Sequence, residues 1–379
     1  MKKLYLILII IFVSLNLRPA ITSVGPLLGQ IQADLHISAG SASLITTLPV
    51  LCMGLFSLLA IKISQRFSVE KALFIAMLLL FVATLARFFV DSLTSLLFTA
   101  LIAGIGIGIV GPLIAGFIKK HFPENNGMMS FYSVSMVVGA AVASSFTIPL
   151  FTAFNDSWQM SLSFWSLLAV IAALLLLLLP LIKNSPTNKN QLVKLSSLWH
   201  QAFPMMLFFS FMAAIFYILT AWLSPYVQAT GMSRYHSGLL LAVFTGVQIP
   251  VSFLIPLLVT RFGKQYLWLI FCGIAELLGV LFLIGGLSPW FSTIILGIGA
   301  GGLFPLALLL PMTRAQTSQE AISLSALMQF GGFIIGACGP LLFGLMIDYF
   351  GNFSLAWGMV VILIVTMLAS VIKLVRASY

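Results

Sequence analysis

The chain has 379 residues, of which 61% are hydrophobic and 7% are charged, with a mean hydropathy of +1.16. A soluble globular chain carries about 25% charged residues, so this composition excludes one and describes an integral membrane protein. The formal charge of +10 would suggest a nucleic-acid partner in a soluble protein; here almost no water-exposed domain exists to display a basic face, and the charge reads as topology.

Apolar runs of about 20 residues, enough to cross about 30 Å of hydrocarbon, recur throughout the chain and predict an all-α protein of twelve membrane helices. The first, roughly 4–30, opens with "MKKLYLILIIIFVSL", which has the basic start and apolar centre of a signal peptide. No small-residue cleavage site follows. Arg18 and Pro19 follow instead and the apolar run resumes, so an uncleaved first helix is expected. A guanidinium keeps its charge in a protein and costs about 2.5–3.5 kcal/mol at the centre of a membrane helix. Arg18 lies about 14 residues, roughly 21 Å, beyond the helix start, too deep to reach the inner headgroups. Pro19 has no N–H and disfavours the bond to the Leu15 carbonyl, so the helix is expected to bend there. Ser14, Arg18, Thr22, Gly25 and Gly29 follow helical spacing and make one polar, small face.

Spans at 41–61, 69–90, 93–118, 126–151 and 157–182 follow. Near the end of the third, Arg87 stands four residues before Asp91, where an ion pair on one helix face is expected. The fourth carries Gly104, Gly106, Gly108, Gly111 and Pro112; its glycines read as close helix contacts and its proline as a bend. The fifth carries Tyr132 and Ser135. The stretch "IKNSPTNKNQLVKLSSLWHQ" then breaks the pattern as a polar, basic linker, dividing the chain into 1–182, a linker at 183–200, and 201–379.

The second half has spans at 201–228, 235–259, 265–285, 290–312, 321–346 and 354–375. Its seventh and eighth spans carry stripes of Tyr217, Thr220, Ser224 and Gln228, and of Thr245, Gln248 and Ser252; the eleventh carries Ser325 and Gln329. Such hydroxyls and amides either face a wet cavity or bond back to their own helix. Glu276, in the middle of the ninth span, is the one acid deep in the membrane. It reads as protonated or bonded to a neighbouring helix, with proton coupling as the alternative. Cys52, Cys272 and Cys338 fall inside helices and give no disulfide or metal spacing.

With the N-terminus in the cytoplasm, 15 of the 18 Lys and Arg residues fall on the cytoplasmic side, while Asp34, Asp91, Asp156 and Asp348 fall outside. Both termini are then cytoplasmic. The halves also repeat one another. "GIGIGIVGPL" from Gly104 matches "GIGAGGLFPL" from Gly297 at an offset of 193, pairing Pro112 with Pro305, and Gly139 matches Gly332. Arg66-Phe67 matches Arg261-Phe262 at an offset of 195. A duplicated six-helix unit in one orientation is the parallel repeat of a large transporter fold.

On these features the chain resembles the major facilitator superfamily over nearly its whole length. "NLRPAITSVGPLL", "LITTLP", "ISQRFSVEKAL" and "GACGP" resemble the branch of cyanate transporters and 2-nitroimidazole exporters. The resemblance implies two pseudo-symmetric six-helix bundles, a cavity lined by helices one, four, seven and ten, and a bacterial inner membrane. The loop signature Gly-x-x-x-Asp-Arg-x-Gly-Arg-Lys survives only as Gln65-Arg66-Phe67-Ser68 and Thr260-Arg261-Phe262-Gly263-Lys264. Its Asp is missing from both, so the usual charge relay is in doubt. The antiporter signature of helix five is also absent from "VVGAAVASSFTIPL".

No zinc-protease, nucleophile-elbow or Walker-type motif is present, and no enzyme, cofactor or metal is expected. The expected function is a monomeric secondary carrier for a small solute, working by alternating access between halves. In the first reading the solute is a small anion held by Arg18 with Thr22, Tyr132, Tyr217, Gln248 and Gln329. In the second, neutral or amphipathic aromatics are exported, using Tyr132, Tyr217 and Trp222, with Glu276 handling protons. Pro19, Pro112, Pro305, Arg66 and Arg261 are the candidate conformational positions. A membrane receptor is the reading outside transport, and the lack of a sizeable soluble domain counts against it. A reporter enzyme fused after Asn188 is expected to report the cytoplasm; an external signal would defeat the orientation read from Lys and Arg.

Overall fold

The first span is interrupted where the sequence places its arginine. In the computed structural model, which describes residues 2–37, 39–123, 127–179, 195–350 and 353–376, it runs as α1 (Lys2–Leu15), α2 (Pro19–Thr22) and α3 (Val24–Leu35). Pro19 has no N–H to offer the Leu15 carbonyl. Residues 16–18 form a turn instead, with Asn16 N–H on the Val13 carbonyl (3.2 Å) and Leu17 N–H on that of Ser14 (3.1 Å). The expected bend is therefore a break, and the span continues to Leu35, beyond its expected end.

The second span also breaks, into α4 (Ala39–Ser57) and α5 (Leu59–Arg66), bent by 50°. Then come α6 (Val69–Leu85), a 3-10 turn at Ala86–Phe89, α7 (Leu93–His121), α8 (Met128–Ala153), α9 (Trp158–Ser163) and α10 (Ser166–Leu178). The second half supplies α11 (Leu195–Ala229), α12 (Arg234–Phe262), α13 (Gln265–Ile284), α14 (Pro289–Arg314), α15 (Ser318–Phe350) and α16 (Phe353–Arg376). Among the described residues eleven stretches are long and apolar enough to cross a membrane, and the bent pair makes a twelfth. Residues 183–194 of the expected linker lie outside the described residues, and its last six open α11.

Serines start several helices by accepting orphan backbone N–H groups. Ser68 accepts from Lys71 N–H (3.3 Å), Ser157 from Met160 N–H (3.2 Å) and Ser233 from His236 N–H (3.3 Å). Ser92 and Ser95 cap α7 reciprocally. The Arg87–Asp91 pair expected from spacing does not form. The chain tightens to a 3-10 turn at Ala86–Phe89 and turns extended at Val90, so the two residues no longer share an α-helical face. Asp91 is exposed and accepts from the Ser95 hydroxyl (3.4 Å).

The chain forms two compact units, one of Met1–Leu195 with Arg314–Ala326 and the other of Ser196–Thr313 with Leu327–Tyr379. The first unit thus takes in the start of α15. There the Ser318 hydroxyl donates to the Gly116 carbonyl (2.7 Å), Gln319 Nε2 to Ser64 Oγ (3.1 Å), and the Ser57 hydroxyl to the Ala326 carbonyl (3.0 Å).

Within each unit the glycine-rich helix packs on two neighbours, and the repeat seen in the sequence is a repeat of these contacts. A methyl built on Gly104 would lie 2.7 Å from the Pro49 backbone, and one on Gly108 2.8 Å from Met53 Cα, so α7 lies directly against α4. In the other unit Gly297 meets Phe244 and Val247, and Gly301 meets Gln248 at 2.8 Å, so α14 lies against α12 in the same way. On the opposite face Gly106 meets Ala76 and Leu80 of α6, and Gly299 meets Cys272 and Glu276 of α13. Without a hydrophobic drive between helices in lipid, such close approach carries the association.

Gly104→Leu, which must push the Pro49 backbone aside, is expected to cost about 1–3 kcal/mol and lower the thermal midpoint of the purified protein. Gly25→Ala, which meets nothing within 4 Å, should leave the midpoint unchanged.

Candidate functional site

In the first unit the break in the first span sets the site. Arg18 is the residue before α2, with φ −113° and ψ −35°, and its side chain is half-buried. Its carbonyl accepts the backbone N–H groups of Ile21 and Thr22 (2.9 Å each) and the Thr22 hydroxyl (3.1 Å). The segment is pinned from the other side by Asn16, whose amide donates to the Phe12 carbonyl (2.6 Å) and the Leu168 carbonyl (3.0 Å). Packed against it is α8, where a methyl on Gly139 would strike the Leu15 carbonyl. That approach brings Tyr132, 2% exposed, within electrostatic range of the Arg18 charge. Arg18 and Tyr132 are thus near one another in the first unit. Further along, Gly25 and Gly29 have open space in front of them, so the small face that continues from Arg18 and Thr22 stays uncovered.

In the second unit the polar stripes are tied mostly to their own helices. Thr220 donates to the Phe216 carbonyl (3.0 Å), Thr245 to that of Ala242 (3.0 Å), Ser252 to that of Ile249 (2.9 Å) and the Gln248 amide to that of Phe244 (3.1 Å). A hydroxyl that donates backwards keeps its lone pairs and can still accept from a ligand. Gln248 and Gln329 are buried, at 5% and 3% exposure. Tyr217 is half-buried on α11 with its ring 5.5 Å from that of Phe216. Trp222 commits its only donor to the Pro340 carbonyl (3.0 Å) and packs on Phe343, which makes it a tie between α11 and α15.

Glu276 is 1% exposed and lies in the contact between α13 and α14, at the place where the first unit holds Leu80 against Gly106. Pro112 and Pro305 sit inside α7 and α14, which continue unbroken through them. Arg66 and Arg261 are exposed at the ends of α5 and α12, Arg261 with its guanidinium 5.6 Å over the Phe262 ring, and neither joins a salt bridge among the described residues. The charge cluster near this loop is one that spacing missed. Glu70 Oε1 accepts from Lys120 Nζ at 2.8 Å, and His121 Nε2 lies 2.9 Å from the same oxygen. Its signal was an acid in the first turn of α6 and a Lys-Lys-His run closing α7.

The sequence matches the model of the Major Facilitator Superfamily over residues 4–337. It is 35% identical to "Uncharacterized transporter YycB" of Bacillus subtilis, covering 97% of this chain and 91% of that protein. It is 29% identical to the cyanate transport protein CynX of Escherichia coli, covering 93% and 92%. With the 2-nitroimidazole transporter of Escherichia coli the identity is 30%, covering 93% and 91%. Among solved structures, that of FucP in the outward conformation superposes with a TM-score of 0.75 over 97% of this chain and 98% of that one, at 15% identity. The two repeated units, the apolar spans and these matches agree: the chain belongs to the Major Facilitator Superfamily and is a multi-pass membrane transporter.

Proposed function

We propose that the transported solute is a small anion, cyanate-like in size and charge, and that it is engaged by Arg18. The observation that carries this reading is a half-buried guanidinium at a helix break, within electrostatic range of Tyr132 and continuous with an uncovered glycine face. A planar fork of donors suits an anion that can accept two hydrogen bonds. The similarity to a cyanate transport protein supports the same class. Thr22 and Tyr132 would complete the pocket on this unit, Tyr217, Gln248 and Gln329 would be the solute-binding residues of the second unit, and transport would proceed by alternating access. The protein would work as a monomer in the bacterial plasma membrane with both termini cytoplasmic, and Pro19, Arg66, Arg261, Pro112 and Pro305 would act in the conformational change.

The second reading is proton-coupled export of nitroimidazole-like aromatics, supported by the similarity to a 2-nitroimidazole transporter. Two placements weigh against it. Trp222 already gives its N–H to Pro340, and Glu276 sits in the α13–α14 contact, away from the stripes of α11 and α12.

Uptake of labelled cyanate and of a labelled nitroimidazole into proteoliposomes separates the readings. Cyanate uptake is expected to disappear in Arg18→Ala, while Arg18→Lys, which keeps the charge and loses the fork, should weaken binding by about tenfold, or about 1.4 kcal/mol. Wild-type affinity in a folded Arg18→Ala protein would refute the anion site. Glu276→Gln should leave most uptake intact; loss of proton-linked transport in that variant, with normal folding, would favour the second reading.

A further inference from the structure

Arg87 has no role in the site described above, and its surroundings are unusual for an arginine. It is 0% exposed, and none of its three guanidinium nitrogens has a hydrogen-bond partner among the described residues. No carboxylate stands within ion-pair distance of it among them. Of the acids on neighbouring segments, Asp91 accepts from Ser95, Asp34 accepts from Trp158 Nε1 at 2.8 Å, and Asp156, just before α9, is exposed and forms no ion pair with Arg87. A guanidinium cannot lose its proton, and an unpaired ion in a dry interior costs several kcal/mol. A complementary charge is therefore required, and the described residues do not provide it.

The surroundings define what that charge is. The helix α9 packs on the 3-10 turn that carries Arg87, and its Trp158 and Leu162 join Val90 and Leu96 in one buried apolar cluster. The Arg87 guanidinium is thus a buried donor group with no acceptor among the described residues, on a turn packed beside an apolar cluster. An acceptor carrying a single negative charge matches one guanidinium. A divalent oxyanion would need more donors than one fork supplies, and it is far harder to dehydrate. Water would satisfy the N–H groups but would leave the charge uncompensated.

We propose that Arg87 holds one compact monovalent anion, of halide or pseudohalide size, in an occluded site of the first unit that is separate from Arg18. The anion neutralises a charge sealed between the end of α6 and α9, and so stabilises the fold of this unit whether or not substrate is present.

The test uses the full-length protein, purified and dialysed into sodium gluconate, then titrated with sodium chloride, bromide, nitrate or sulfate at constant ionic strength. The thermal midpoint of the wild type is expected to rise by about 2 °C or more with the monovalent ions. Sulfate should not raise it. Arg18→Ala should keep this response, because its arginine is the other one, and Arg87→Met, which needs no counter-ion, should lose it. A wild-type midpoint equal in gluconate and chloride would overturn the proposal, as would an anion response that persists in Arg87→Met. A loss of response in Arg18→Ala alone would also overturn it, placing the anion at the transport site. Should Arg87→Met not fold, crystals soaked in bromide decide: an anomalous peak beside the Arg87 guanidinium is expected, and its absence at saturating bromide refutes the site. An Asp34→Asn, Asp91→Asn double variant should retain the response, and its loss there would show that the carboxylates, not a bound ion, compensate the arginine.

Discussion

Everything in this molecule depends on how closely helix backbones approach in a medium that supplies no hydrogen bonds and no hydrophobic drive between helices. The glycines of α7 and α14 meet that constraint on two sides at once. Positions two apart on a helix point about 200° from one another, so Gly104 and Gly108 face α4 while Gly106 faces α6. One helix thereby joins two neighbours at near-contact distance. Gly297 and Gly301 against α12, with Gly299 against α13, reproduce the arrangement residue for residue. The duplication is consequently one of packing geometry, and the partners need not match chemically: Leu80 and Glu276 occupy equivalent places in the two copies.

That equivalence bears on the acid. A position filled by leucine in one unit is a packing position, and nothing in its location requires a charge. Glu276 lies against the backbone of α14 at Gly299, inside a seam, and one carboxylate oxygen is buried without a hydrogen-bond partner. An acid in such a seam is held by its neighbours and reaches no solute without parting two helices. Arg18 differs in this respect. It lies at the break in the first span, and its side chain is half-buried.

Much of this was legible in the sequence because it depends on spacing alone. The offset of 193 named the glycines that turn out to pair with α4 and α12, and Pro19 marked the break. What spacing could not reach were features decided by tertiary geometry. The i to i+4 rule for Arg87 and Asp91 presumes an α-helix, and nothing in "ARFF" announces a 3-10 turn. Glu70 and Lys120 are fifty residues apart and meet only because α6 and α7 pack together. The hydroxyl stripes did not reveal the direction of their protons, most of which go back to their own helix.

The two membrane arginines of the first unit show why burial, and not charge, decides what a cation does here. Both carry a fork of donors and neither can be neutralised. A carrier must release its solute on every cycle, so the arginine that meets it has to be reachable and its attraction moderated by water. Arg18, half-buried at the break in the first span, is the one proposed for that role. Arg87, at 0% exposure among apolar side chains, meets neither. An anion bound there would experience the full strength of a low-dielectric pairing and would leave slowly, on the timescale of local unfolding. Such an ion would serve as part of the fold, so burial alone would separate an arginine proposed to meet a passing solute from one proposed to hold a constituent.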